Sequence, residues 1–240
     1  MIPTILHQIW WQGPKNISNI HTKYIKTWKD KHPNFNYILW DRERFELLLI
    51  KLNNTLYNYI YNNLPYMIQK IDFCKYLILY TYGGIYVDID TICEKTLISF
   101  IDDNFNLIVS KILVYPYINY KLINNGIIFS SKNNRFFYYL FLNIKLNIHP
   151  EIYYNKDYYI LKSTGPLCFT ETLYNYLLKT QDIKILILDE SYFESNTLME
   201  LNNYSRRGKY ITHIHNSSWT SYLFKLHFII VKWFNYINFL

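Results

Sequence analysis

Cysteine is scarce. Cys74, Cys93 and Cys168 stand far apart in 240 residues. None has C-x-x-C spacing and three thiols form no even framework, so a reducing compartment is expected. Cys74, inside an apolar run, reads as a small buried side chain. No signal peptide opens the chain, since Met1-Ile2-Pro3 runs straight into a strand, and a cytoplasmic location is expected. Charge is also sparse, at 18% of residues with a formal net charge of +7. A basic balance attracts nucleic acid, anionic membrane or phosphate-bearing ligands. The densest basic cluster, Arg206-Arg207-x-Lys209, reads as a solvated loop, so no nucleic-acid partner is expected. No internal repeat or linker divides the chain. Half of the residues are hydrophobic, which excludes disorder and supplies the core of one α/β domain over residues 1–220. Residues 221–240 are apolar and aromatic but interrupted by Lys225 and Lys232. A membrane span needs about 20 apolar residues with few charges. An interfacial helix giving peripheral membrane association, or a helix packed on the rest of the chain, fits this tail better.

The most informative stretch is Ile68–Asp90. Apolar residues recur with helical spacing through Ile71, Cys74, Ile78 and Leu79. Gly83-Gly84 stops that helix, because glycine takes positive φ without cost. Ile85-Tyr86-Val87 favours a strand. Asp88 and Asp90 follow at spacing two, which on a strand places both on one face. Paired carboxylates repel unless a cation lies between them, and hard oxygen ligands suit Mg²⁺ or Mn²⁺. A bare D-x-D also fits a solvated loop; the strand, glycine turn and helix before it favour a site. Asp72 and Lys75, three apart on the helix, read as neighbours whose surface pairing is worth about 0.2–0.5 kcal/mol.

Asp72, Lys75, Tyr76, Leu79, Tyr80, Gly83, Gly84, Ile85, Tyr86, Asp88 and Asp90, in that spacing, resemble the signature of the DXD-containing sugar-nucleotide glycosyltransferases of family thirty-two. The resemblance implies a GT-A fold: an α/β, Rossmann-like nucleotide-sugar-binding domain with a mixed central sheet. It implies Mn²⁺ or Mg²⁺ as cofactor, a UDP- or GDP-sugar donor, a glycan, glycolipid or protein acceptor, and retention of anomeric configuration. Asp90 is then the direct metal ligand, Asp88 shares the metal shell or holds the ribose, and Asp72 and Lys75 face the sugar or phosphate. The family usually has Arg where Lys75 stands, and a fork is not a point charge. That departure keeps a donor hydrolase or a non-catalytic nucleotide-sugar binder as alternatives. The apolar tail keeps open a membrane-interaction protein.

The resemblance extends along the chain. Ile2–Trp11 reads as the opening strand; Trp10 matches the tryptophan beside the nucleobase, with core packing as the alternative. His7 reads as a hydrogen-bonded core histidine. A helix is expected over Ile20–Lys31, a strand over Asn36–Trp40, and a helical region from Asp41 to Leu52. Asn53–Asn63 is expected as a connecting segment, and Leu64-Pro65 as the opening of the central helix. Leu97–Ile101 reads as a short helix, Asn106–Ser110 as a strand and Tyr115–Tyr120 as a loop. Leu122–Ser130 resembles the strand behind the donor pocket, with Asn125 and Gly126 as sugar contacts or as a hairpin turn. A helix follows over Arg135–Leu146. Thr164-Gly165-Pro166 opens a helix over Leu167–Leu178, either as a donor contact or as a cap. Ile183–Leu188 reads as a strand. Tyr210–Trp219 resembles the closing motif, with His213 or His215 as a further metal ligand and Ser218 and Trp219 as donor contacts.

Overall fold

The structure, a computed structural model, describes residues 1–101, 104–112, 122–149, 155–182, 184–194 and 206–214. In chain order the elements begin β1 (Ile5–Ile9), α1 (Asn19–Lys31), β2 (Asn36–Trp40), α2 (Arg42–Leu52), α3 (Thr55–Asn63) and α4 (Met67–Tyr82). Next come β3 (Gly84–Val87), β4 (Thr91–Cys93), β5 (Leu107–Ile112), β6 (Leu122–Ile123) and β7 (Ile127–Ser130). The last are α5 (Arg135–Asn147), α6 (Lys156–Ser163), α7 (Pro166–Thr180), β8 (Ile185–Leu188), β9 (Arg206–Arg207) and β10 (Ile211–His213).

The main sheet runs β2-β1-β3-β7-β5-β6, with β8 also paired to β5. It is mixed: β1 is parallel to β2 and β3, whereas β7 is antiparallel to β3 and β5. A small antiparallel sheet, β4-β10-β9, sits beside it. Side chains along the central strands alternate between two cores, as the pleat requires. Ile85, Val87, Ile108, Ile127 and Phe129 enter one core with Trp28 and Phe193. Tyr86, Leu107, Val109 and Ile128 enter the other, beneath the helices. Their β-branched and aromatic character suits a strand buried on both faces.

Helix α4 is the hub of the helical layer. Every residue from Asp72 to Leu79 is buried, so an amphipathic stripe is absent and its apolar sequence wraps all round. Its first turn is tied by Gln69, whose Oε1 accepts the Tyr66 N–H at 3.1 Å while its Nε2 donates to Ser163 Oγ at 2.6 Å. Gly83 and Gly84 end the helix with φ of 67° and 101°. A side chain at Gly84 would also meet Ile5 O at 2.5 Å, so this turn brings β3 against β1.

Several boundaries differ from expectation. The segment Asn53–Asn63 is largely helix α3, capped by Asn54 Oδ1 accepting from the Leu56 and Tyr57 N–H groups. Its Tyr57, Ile60 and Tyr61 are buried at helical spacing, a stripe hidden within a polar composition. The strand expected over Ile2–Trp11 is confined to Ile5–Ile9. Leu122–Ser130 is two strands: β6 pairs with β5, while β7 pairs with β3 and β5, so Asn124–Gly126 is a bend and not a β6–β7 hairpin turn. Leu97–Ile101 shortens to a 3-10 turn at Ile98–Phe100. Tyr115–Tyr120 lies outside the described residues.

Candidate active site

Strand β3 ends at Val87, so the two aspartates lie on a turn and not on the strand expected to align them. Asp88 still follows the alternation. It faces the helical side with Tyr86, whose hydroxyl donates to Asp88 Oδ1 at 2.7 Å. The turn is pinned through Asp88: its N–H donates to Gly126 O at 2.8 Å, and its carbonyl accepts from Thr91 Oγ1 and from Gln8 Nε2 at 3.3 Å. Chain reversal then pairs β4 with β10, placing His213 opposite Thr91. The Ile214 N–H donates to Asp90 O at 2.9 Å. Asp88, Asp90 and His213 thereby converge, each offering a ligand atom within 4.8 Å of the others. His213 Nε2 lies 3.2 Å from Asp90 Oδ1. Two carboxylates and an imidazole are a donor set that fits a hard or borderline divalent cation.

Behind this group lies a buried polar cluster. Lys75 Nζ is 3.0 Å from Asp72 Oδ1 and 3.5 Å from Asp88 Oδ1, and donates to Asn125 O at 3.4 Å. Asp72 also accepts from Asn125 Nδ2 at 3.2 Å and from Thr164 Oγ1 at 3.0 Å. Both Asp72 and Lys75 are only 4% exposed. The surface pairing expected for them is therefore corrected: this is an interior ion pair linking α4 to the Asp88 carboxylate. Burial pushes the Asp72 carboxyl up, against the pull of Lys75. Burial alone would lower Lys75, but Asp88 and Asp72 outweigh it and hold the ammonium above its usual range. Burial would likewise lower His213; Glu194 and Asp90 reverse this and raise it well above the ordinary histidine value. Among the described residues, Asp72 and Asp88 face Lys75, and Asp90 and Glu194 face His213. Clustered carboxylates have the sign that a metal cation would offset.

The other sequence candidates fall into place unevenly. Trp11 packs into the core, whereas Trp10 is half-buried beside the ring of His21, 4.8 Å between centroids. Trp10 thus keeps part of its aromatic face accessible. Its indole Nε1 is buried and has no hydrogen-bond partner among the described residues. Gly126 leaves room for Asp88, since a side chain there would meet Asp88 Oδ2 at 2.4 Å. Asn125 bridges Asp72 and the Tyr76 hydroxyl. Thr164 is fully buried, and its carbonyl accepts from Tyr76 at 2.8 Å. Gly165 is the N-cap residue of α7, and its N–H donates to Ile160 O at 3.0 Å, closing the end of α6. His7 is a core residue, accepting from Trp40 Nε1 at Nδ1 and donating from Nε2 to Gly83 O. His215, Ser218, Trp219 and residues 221–240 lie outside the described residues. Glu194, Asn124 and Gln8 were not anticipated; none stands in recognisable spacing to the aspartates.

Residues 18–108 match the family described as "Glycosyltransferase sugar-binding region containing DXD motif". An uncharacterized glycosyltransferase, L373, of Acanthamoeba polyphaga mimivirus is 32% identical over 225 residues, covering 93% of this chain and 86% of that protein. The chain belongs to the DXD-containing glycosyltransferases. Inositol phosphoceramide mannosyltransferase 1 of Schizosaccharomyces pombe is 34% identical to this glycosyltransferase over 97 residues. That match spans 39% of this chain and 30% of the fungal protein. The solved structure "PaToxG Glycosyltransferase" superposes with a TM-score of 0.54 at 22% identity, over 74% of this chain and 70% of that one, a likeness of fold. The GT-A architecture expected from the sequence is thus borne out. Among the described residues, no helix of this glycosyltransferase is long and apolar enough to cross a membrane.

Proposed function

We propose that this glycosyltransferase moves a hexose from a UDP- or GDP-sugar to a hydroxyl of a glycan, glycolipid or protein, with retention and in a metal-dependent way. The observation that carries the reading is the convergence of Asp88, Asp90 and His213 beside the buried Asp72–Lys75 pair. Asp88, Asp90 and His213 would hold Mn²⁺ or Mg²⁺, the imidazole favouring Mn²⁺. When bound, such a metal offsets negative charge on the donor diphosphate. Trp10 stacks on the nucleobase. Lys75 sets the positions of Asp72 and Asp88 and is the cation nearest the transferring sugar. Asn125 and Thr164 hold Asp72 toward the sugar hydroxyls, and Tyr86 orients Asp88. The acceptor oxygen bonds to the anomeric carbon on the face from which the phosphate departs. The bond from that carbon to the phosphate oxygen breaks, and the hydroxyl proton passes to the departing phosphate. Residues 1–220 form the catalytic unit, and the apolar sequence of 221–240 suits a membrane surface.

Binding of nucleotide sugars, screened by thermal shift with and without Mn²⁺, tests the reading. In the donor so identified, Asp90→Asn abolishes the Mn²⁺ dependence of affinity while the fold persists. Unchanged metal dependence in Asp90→Asn overturns the metal site. Turnover with and without acceptor separates transfer from donor hydrolysis.

A further inference from the structure

Glu194 is a carboxylate placed where carboxylates are costly. It is 1% exposed, at the end of the turn Glu190–Tyr192, where its N–H donates to Glu190 O at 2.8 Å. That turn is clasped to the strand carrying His213, because the Lys209 and Tyr210 N–H groups donate to Ser191 O and Tyr192 O at 2.9 and 3.0 Å. A buried charge survives only when it is paired and hydrogen-bonded. Glu194 Oε1 accepts from Asn124 Nδ2 at 2.7 Å and faces His213 Nδ1 at 2.6 Å. Each contact leads to a different wall of the metal group. On one side, His213 turns its other nitrogen, Nε2, toward Asp90. On the other, Asn124 Oδ1 accepts the Gly126 N–H at 2.6 Å, and Gly126 O accepts the Asp88 N–H at 2.8 Å.

We propose that Glu194 is a positioning residue that fixes His213 with its proton on Nδ1 and its Nε2 aimed at the Asp88–Asp90 turn, and that joins this histidine through Asn124 to the Gly126 bend behind Asp88. An ionised carboxylate only accepts hydrogen bonds, so a close Nδ1 carries a proton whether the ring is charged or neutral, and a metal would take the place of the proton on Nε2. Outer partners of this kind set the orientation and basicity of a metal-ligating histidine. The inference rests on the metal reading given above.

The test uses the full chain and Mn²⁺ alone, titrated by the loss of the free-ion paramagnetic resonance signal. Glu194→Gln, which preserves shape, weakens Mn²⁺ binding by about 10–100-fold, the usual cost of losing an outer partner. In Glu194→Gln/His213→Ala the loss is no greater than in His213→Ala alone, because Glu194 acts through the histidine. Long-range proton–nitrogen spectra of His213 in the protein loaded with diamagnetic Mg²⁺ show the proton on Nδ1 in the parent and redistributed in Glu194→Ala. Parent-like Mn²⁺ affinity in Glu194→Gln, additive losses in the double variant, or an unaltered His213 tautomer in a folded Glu194→Ala would each overturn the assignment. Asp90→Asn measured alongside keeps the two readings apart. If it loses Mn²⁺ and Glu194→Gln does not, only the role of Glu194 fails; if neither loses Mn²⁺, the metal site itself fails.

Discussion

At the scale of single residues, Lys75 holds its charge where water hardly reaches, between Asp72 and Asp88. Removing one partner of a buried ion pair leaves the others uncompensated and costs about 3–5 kcal/mol. Lys75→Ala is therefore expected to lower the unfolding free energy by that order in urea titration, ten times what a solvated helix pair is worth. Lys75→Arg keeps the charge and is expected to hold most of the stability and the turnover, which assays below the unfolding midpoint would check. His7 gives a second residue-scale outcome. Burial lowers its pKa from 6.5 to about 4, against the opposing bond to Gly83. Its folded value lies below its unfolded one, so its contribution to stability is complete above pH 6.5 and is lost as pH falls toward 4. That window is worth about 3 kcal/mol at about 1.4 kcal/mol per unit. His7→Gln, which takes up no proton there, should show a flatter fall in unfolding free energy between pH 6.5 and 4 than the parent.

At the scale of elements, the site depends on a strand that stops in time. β3 delivers Asp88 on the face set by Tyr86, and the turn after Val87 carries Asp90 across to β10. Gly126 is the point where β7 makes room for this. In Gly126→Ala the added carbon meets the Asp88 carboxylate, and overpacking of this kind costs about 1–3 kcal/mol. The expected result is weaker Mn²⁺ binding at a modest cost in melting temperature; undiminished Mn²⁺ affinity would show that Asp88 can yield without consequence. The elements also show what a sequence discloses. β2 was legible to the residue, because NYILW carries a strand pattern between clear breaks. The helix–glycine–strand core of the site was legible because three local signals agree over Ile68–Asp90. Helix α3 was missed because its buried Tyr57, Ile60 and Tyr61 are diluted by asparagine and exposed tyrosine. The burial of Asp72 and Lys75 was missed because their surroundings come from Thr164 and Asn125, far along the chain. Glu194 gave no local signal at all, since its partners Asn124 and His213 come from other stretches of the chain.

At the scale of the molecule, binding at the site should be felt throughout the fold. A ligand that binds only the folded state at a hundred times its dissociation constant adds about 2.7 kcal/mol. For a protein of this size that corresponds to a rise of about 5–11 °C in melting temperature. Saturating Mn²⁺ and donor are expected to produce it in the parent and not in Asp90→Asn, as differential scanning fluorimetry would measure.

The pairing of β10 with β4 also sets an order in time. Asp88 and Asp90 leave the ribosome in the first half of the chain, whereas Gly126 follows them and His213 and its clasp emerge much later. Folding during synthesis proceeds from the amino end, so a nascent chain can begin to assemble its central helix and acidic turn while His213 is still untranslated. A translation product that stops short of β10 would display the carboxylates without the histidine that completes their set. On the proposed site, sugar transfer by this polypeptide would then begin only late in its manufacture.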